Sequence, residues 1–168
     1  TVVALSKFAS KVQAELRDFI NFYLPRSRKA KITPYGFKLA GSSSVHHLAM
    51  QKGSFETEET ARIQEQLNQA DVFVDVGANI GFYACIARLT GKHVIAVEPL
   101  EQNLRHIYSN LSANDWHDIE VFPVGLSDRP GLAVLYGASN TGASLIGNWA
   151  GASKLFRHTI PLSTLDIL

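Results

Sequence analysis

The chain has 168 residues, 46% hydrophobic and 18% charged, with a formal net charge of +1. This is an ordinary globular composition, long enough for one domain with a core, and its near-zero charge gives no electrostatic footprint for nucleic acid. One cysteine excludes an internal disulfide and a cysteine-rich zinc site; no apolar run approaches the roughly 20 residues of a membrane span, and no signal-peptide pattern opens the chain, so a cytoplasmic location is the expectation.

Residues 5–24 carry apolar side chains at Leu5, Phe8, Ala9, Val12, Leu16, Phe19, Ile20 and Tyr23. That 3.6-residue period predicts an amphipathic helix, ended by Pro25. Its stripe has three possible covers: its own domain, a second subunit in an oligomer, or a membrane surface. The basic cluster Arg26, Arg28, Lys29 and Lys31 reads as a solvated linker, or as a contact to phosphate or anionic lipid that would extend membrane-surface binding over 5–31. Residues 32–55 read as short strands and turns, broken at Pro34, Gly36, Gly41 to Ser44 and Gly53. His46 and His47 would face opposite sides of a strand, so no metal site is expected.

From residue 57 the pattern becomes regular. Thr57 is placed to cap a helix over 57–70, with Glu58 and Glu59 in its first turn and Ile63, Leu67 and Ala70 on one face. A strand over 72–76 runs into a glycine-bearing loop. A helix over about 81–90 follows, stopped by Gly91 and carrying Cys85 as a small buried hydrophobe. A strand over 93–98 leads to a helix opened by Pro99, with Leu100, Leu104, Ile107 and Leu111 on one side. A strand over 119–126 closes the series.

This β-α-β-α-β order predicts an α/β fold, a parallel sheet with helices on both faces. The apolar runs 72–76 and 94–97 suit strands buried on both sides. Beyond them, 127–131 is a turn and 132–136 an edge strand paired antiparallel. The Gly/Ala/Ser/Asn-rich stretch 137–153 is either a binding loop or a flexible surface loop, and 158–168 returns to an extended strand.

The loop "VDVGANIG" (74–81) limits the ligand. A dinucleotide loop needs G-x-G-x-x-G, but counting from Gly77 the second and third glycine positions hold Asn79 and Phe82. No Gly-Lys-Ser/Thr follows, so a Walker-type phosphate loop fails too. Asp75 beside a pyrophosphate in a partly buried site would be repulsive. With the sign of the ligand reversed, the carboxylate becomes an asset. S-adenosylmethionine carries a sulfonium and an ammonium and no phosphate, and Asp75 would attract the ammonium directly or through water. Gly77 would let the loop pass close under the ligand, Gly81 would let the next helix approach the strand, and loop N–H groups would receive the ligand carboxylate. Glu98, about 20 positions on at the end of the second strand, would accept from the ribose hydroxyls, or else charge the start of the next helix.

The strings "FVDVGANIGFYACIA", "VIAVEP", 103–114 and "VFPVGLSDRPG", with "TLD" near the end, resemble the FkbM-type S-adenosylmethionine-dependent methyltransferases over roughly 55–166. The resemblance implies a doubly wound, Rossmann-like class I domain that methylates hydroxyls of sugars, polyketides or other small molecules. By position it assigns Asp75, Gly77, Ala78, Asn79 and Gly81 to the methionine end of the cofactor, Glu98 to the ribose, Pro99 to the adjoining turn, and Leu126 and Ser127 to the adenine. Asn103, Asn110 and Asn114 match the family pattern or simply fix their helix. Family members continue past T-L-D into a strand like I-K-x-D-x-E-G, so the chain reads as C-terminally truncated. Residues 1–54 would form an extension and 55–168 the N-terminal part of the cofactor-binding domain. The rival readings are a nucleotide-dependent oxidoreductase of the same topology and a non-catalytic binding module. A hydroxyl acceptor needs a base. His106, His158 and Asp128 qualify chemically, no spacing selects among them, and no catalytic residue is named.

Overall fold

The computed structural model describes residues 12–13, 29–137, 143–145 and 157–168. The helix expected over 5–24 therefore lies outside the described residues, apart from Val12 and Gln13, as do Arg26, Arg28 and most of 137–153.

Lys31–Ile32 (β1) and Lys38–Leu39 (β2) pair antiparallel. Val45–Lys52 is a helix, α1, and not the strand-and-turn segment that its glycines and serines suggest. Local chemistry explains the difference. The Ser44 hydroxyl accepts the His47 N–H at 3.2 Å, and Gly53 closes the helix in the left-handed region at φ 72°. His46 and His47 thus sit on a helix, and His47 is buried.

Thr57–Leu67 is α2. Its N-cap is Glu56, not Thr57, and the Glu56 side chain makes no capping bond. Val72–Val76 (β3), Phe82–Leu89 (α3), His93–Val97 (β4), Glu101–Ala113 (α4) and Glu120–Phe122 (β5) follow. The three strands are parallel in the order β3-β4-β5, with Val72 opposite His93 and Ile95 opposite Glu120. Pro99 lies outside α4, whose N-cap is Leu100.

The strand expected over 119–126 breaks at Pro123. Proline has no N–H for the ladder, and the Val124 N–H turns back to the Phe122 carbonyl at 2.9 Å. The chain then leaves the parallel sheet. Gly125–Leu126 (β6) and Gly131–Tyr136 (β7) flank Arg157–Ser163 (β8) in a second sheet ordered β6-β8-β7. As expected, β7 is antiparallel to its neighbour.

Parallel strands and helices share one main core. Val94 and Ala96 of β4, Ala84, Cys85 and Ile86 of α3, and Leu104, Ile107 and Leu111 of α4 are buried together. Phe37, Leu39 and Met50 join that core, so the described part of the extension assigned to 1–54 is packed into the domain. Burial on both sides does not hold for β3 among the described residues. Val72, Val74 and Val76 are 48%, 41% and 58% exposed, because α3 and α4 cover the opposite face.

Two asparagines of α4 attach β2 to the core. The fully buried Asn110 accepts the Ala40 N–H at 2.6 Å and donates to the Ala40 carbonyl at 3.1 Å and the Ile80 carbonyl at 2.9 Å. One turn on, Asn114 accepts from the Lys38 N–H and donates to the Lys38 carbonyl, both at 2.7 Å. Both side-chain amides stand in for a strand partner, and Asn110 satisfies backbone groups that burial would otherwise leave unpaired, whereas the Asn114 bonds are exposed.

Candidate active site

The 77–81 loop leaves β3 and enters α3. Gly77, Asn79 and Gly81 all adopt left-handed backbone, at φ 81°, 54° and 82°. A Cβ at Gly77 would meet no protein atom within 4 Å, so dihedral freedom requires the glycine there. A Cβ at Gly81 would lie in ordinary contact with Ile107 of α4, 3.4 Å away, so the positive φ is what calls for glycine there too.

Around this loop lies a cavity of about 420 Å³. Its wall includes Gly77, Ala78 and Asn79 from the loop, and Glu98, Pro99 and Leu100 from the end of β4. His46, Phe55, Glu56 and Tyr83 stand on it as well. Five of the nine cofactor candidates, Gly77, Ala78, Asn79, Glu98 and Pro99, thus meet at one surface.

Asp75 is not on that wall. Its carboxylate accepts the Ala84 N–H at 3.0 Å, supplying from β3 the cap that Gly81 cannot give to α3. Nor do the first loop N–H groups point at a ligand. Gly77 and Ala78 both donate to the Val97 carbonyl, at 2.8 and 3.1 Å, and Asn79 donates to Glu98 at 2.8 Å. Leu126 lines a smaller cavity of about 180 Å³ that shares Gly77, Pro99 and Leu135 with the first. Ser127 donates through its N–H to the Ser163 carbonyl and through its hydroxyl to Asp128, and lines neither cavity.

Glu98 organises the site. Its two oxygens take the Asn79 and Leu100 N–H groups, at 2.8 and 2.9 Å, and the Asn103 side chain also hydrogen-bonds it. It therefore joins the loop to the start of α4 as well as presenting a carboxylate to the cavity. Burial raises its pKa, against the pull of these three donors.

His47 was invisible as a site residue. Its Nδ1 accepts the Ser42 N–H at 3.0 Å, and a backbone N–H can only donate. The imidazole is then neutral with its proton on Nε2, which donates to Asn79 Oδ1 at 3.1 Å. Asn79 is gripped at both ends, by His47 on its side chain and Glu98 on its backbone, and this holds a non-glycine residue at positive φ. A Cβ at Gly41 would come within 2.9 Å of His47 Cβ, so the histidine's seat depends on that glycine. The signal legible in sequence was the helix punctuation at Ser44 and Gly53.

Of the base candidates, His106 is buried with its ring 5.9 Å from His47, His158 bonds to the Gly137 carbonyl at 3.2 Å, and Asp128 accepts from Ser127; none lines the main cavity. His46 does. Cys85 is fully buried, and its thiol is pushed up to about 12 by burial, with the Asp75 charge adding, as fits a packing residue. Among the described residues no cluster of His, Cys, Asp or Glu could hold a metal, and no helix is long and apolar enough to cross a membrane.

Burial raises the Asp75 carboxyl to about 6, opposed by the Ala84 N–H and aided by the Glu98 charge. Between the ordinary carboxylate value and about pH 6, the folded chain keeps a proton that the unfolded chain has lost, so this group's contribution falls as pH rises. His47 works the other way. Burial first, then the His106 and His46 charges, bring it down to about 4 against the Asn79 bond, so stability falls as pH drops from its ordinary 6.5. Asp75→Asn keeps an oxygen for Ala84 and removes only the first slope. Relative to the parent chain, its unfolding free energy should rise by about 2 kcal/mol from about pH 4 to pH 7 in denaturant titrations. A difference that does not change with pH would refute the buried, late-titrating carboxyl.

A family model, the methyltransferase FkbM domain, matches residues 75–166, more than half of the chain. The chain belongs to that family. This FkbM-domain protein is a methyltransferase, and the match begins at Asp75, the residue that leads into the loop, and runs through β8. In the same comparisons no curated protein and no solved structure matches the chain. The matched stretch runs from the end of β3 through β8, and the α1 and α2 region packs against its loop and first helix.

Proposed function

We propose that the cavity binds S-adenosylmethionine and that the methyl group goes to a hydroxyl of a small molecule such as a sugar. The observation that carries this is the charge of the wall. It presents the carboxylates of Glu56 and Glu98, and no lysine or arginine among the described residues. Such a wall suits a ligand with cationic centres and ribose hydroxyls and repels a pyrophosphate, which argues against the oxidoreductase reading. When bound, the cofactor supplies a methyl group already activated by its sulfonium.

In this reading Glu98 accepts from the ribose with the lone pairs that Asn79 and Leu100 leave over. Gly77, Ala78 and Asn79 form the floor under the sulfur, and Pro99 and Leu126 the apolar approach to the base. Ser127 stands behind this surface, and Asp75 and Gly81 serve it indirectly through α3. Alignment of an in-line displacement is the protein's main contribution. A hydroxyl acceptor must also lose its proton, and His46 is the imidazole on this wall. The β3-β4-β5 order supports half of a doubly wound sheet, in which the exposed Val72, Val74 and Val76 face would lie under a second layer.

Calorimetric titration with S-adenosylhomocysteine and with NAD tests the cofactor. The thioether is expected to bind with a micromolar-range Kd, about −8 kcal/mol, and NAD not to bind measurably. Binding of NAD without the thioether overturns the reading. Methyl transfer from labelled cofactor to a hydroxylated acceptor panel separates an enzyme active on small hydroxyls from one acting elsewhere.

A further inference from the structure

Asp75 gives one oxygen to the Ala84 N–H of α3 and does not line the cavity, so the carboxylates placed to meet the cationic tail of the cofactor are those of the wall. Resting on the cofactor reading above, we propose that Glu56, held by Tyr83, receives the ammonium of the aminocarboxypropyl group.

Backbone geometry draws attention to this residue first. Only three non-glycine residues among those described have positive φ, and two of them, Glu56 at φ 40° and Asn79 at φ 54°, stand on the cavity wall. Asparagine tolerates that region through its short polar side chain; glutamate has no such relief, and the conformation costs about 1 kcal/mol or more. The usual benefit of a polar N-cap is missing as well, since the Glu56 side chain does not cap α2. Its Oε2 instead accepts the Tyr83 hydroxyl at 2.8 Å. The strained backbone thus directs the carboxylate to the mouth of the cavity and the tyrosine fixes it there.

The surroundings suit a cation. Phe55 and Tyr83 lie 6.3 Å apart between ring centroids, and Phe55 and Phe82 5.8 Å, so the carboxylate stands beside aromatic rings on the same wall. A carboxylate with aromatic rings is a recognised setting for an ammonium group. The order of residues along the wall agrees. A ligand with its ribose on Glu98 passes over Asn79, which Glu98 contacts, and reaches Tyr83 in the first turn of α3. The far end of the ligand is where the amino-acid portion would be.

Two ligands isolate this contact in the full chain: S-adenosylhomocysteine, which has the amino-acid tail, and 5′-methylthioadenosine, which lacks it. Glu56→Gln is expected to weaken S-adenosylhomocysteine at least 10-fold by calorimetry and to leave methylthioadenosine within 2-fold of the parent. Tyr83→Phe should move the same ratio in the same direction by a smaller factor, since the carboxylate is kept and only its anchor is lost. Equal losses for both ligands would show that Glu56 acts through the shape of the loop, and unchanged binding of both would show that it does not touch the tail; either result overturns the assignment alone. A parent chain that binds neither ligand overturns the cofactor reading and this assignment together.

Discussion

Asn110→Ala is expected to lower the unfolding free energy by about 4 kcal/mol in urea titrations. The substitution strips partners from the Ala40 N–H, the Ala40 carbonyl and the Ile80 carbonyl at a fully buried position. An unsatisfied buried group costs about 1–3 kcal/mol, and some of that is recovered if water enters the space left by the amide. Asn114→Ala provides the comparison. Its bonds to Lys38 are exposed to solvent, so water replaces them and the loss should be about 1 kcal/mol. If the two variants lose the same amount, the amide ladder is not what attaches residues 38–40 to the core. Because the Ile80 carbonyl belongs to the site loop, the damage should also reach the cavity.

The second large effect is at Glu98. Glu98→Gln should weaken S-adenosylhomocysteine by about 100-fold, or about 3 kcal/mol, with a smaller loss of stability. One amide oxygen cannot serve both the Asn79 and Leu100 N–H groups, and the new NH₂ would face a donor where an acceptor stood. The loop then loses its tether, and the carboxylate proposed to receive the ribose is lost with it. Measuring affinity and denaturation on the same sample separates the two consequences. An affinity loss below about 3-fold, with folding intact, would contradict the place given to Glu98.

The site was legible in part. Asn79 in place of the second glycine, and Glu98 at the end of a strand, could be read because spacing along a strand and loop is local. The structure places both on one cavity wall and bonds them to each other. Asp75 was read as a charge facing the ligand. A sequence shows that a carboxylate ends β3 but not which way it turns, and the uncapped start of α3 lies close enough to claim it. The same limit hid His47 and Glu56. Each reaches the loop or the cavity from an element distant in sequence, and Tyr83 meets Glu56 only because α3 returns beside the start of α2.

By itself, then, the sequence determined the alternation of strands and helices and the family, and showed that the loop lacks the residue pattern of the common phosphate loops. These rest on periodicity, short motifs and residue type, all carried by neighbouring positions. Only the tertiary structure decided which carboxylates face the cavity, which loop N–H groups are already satisfied, and that residues 37–50 belong to the same core. Those outcomes depend on competition among buried polar groups for partners far away in the chain. Burial makes every unpaired group costly, so the nearest partner in space, not in sequence, settles each assignment.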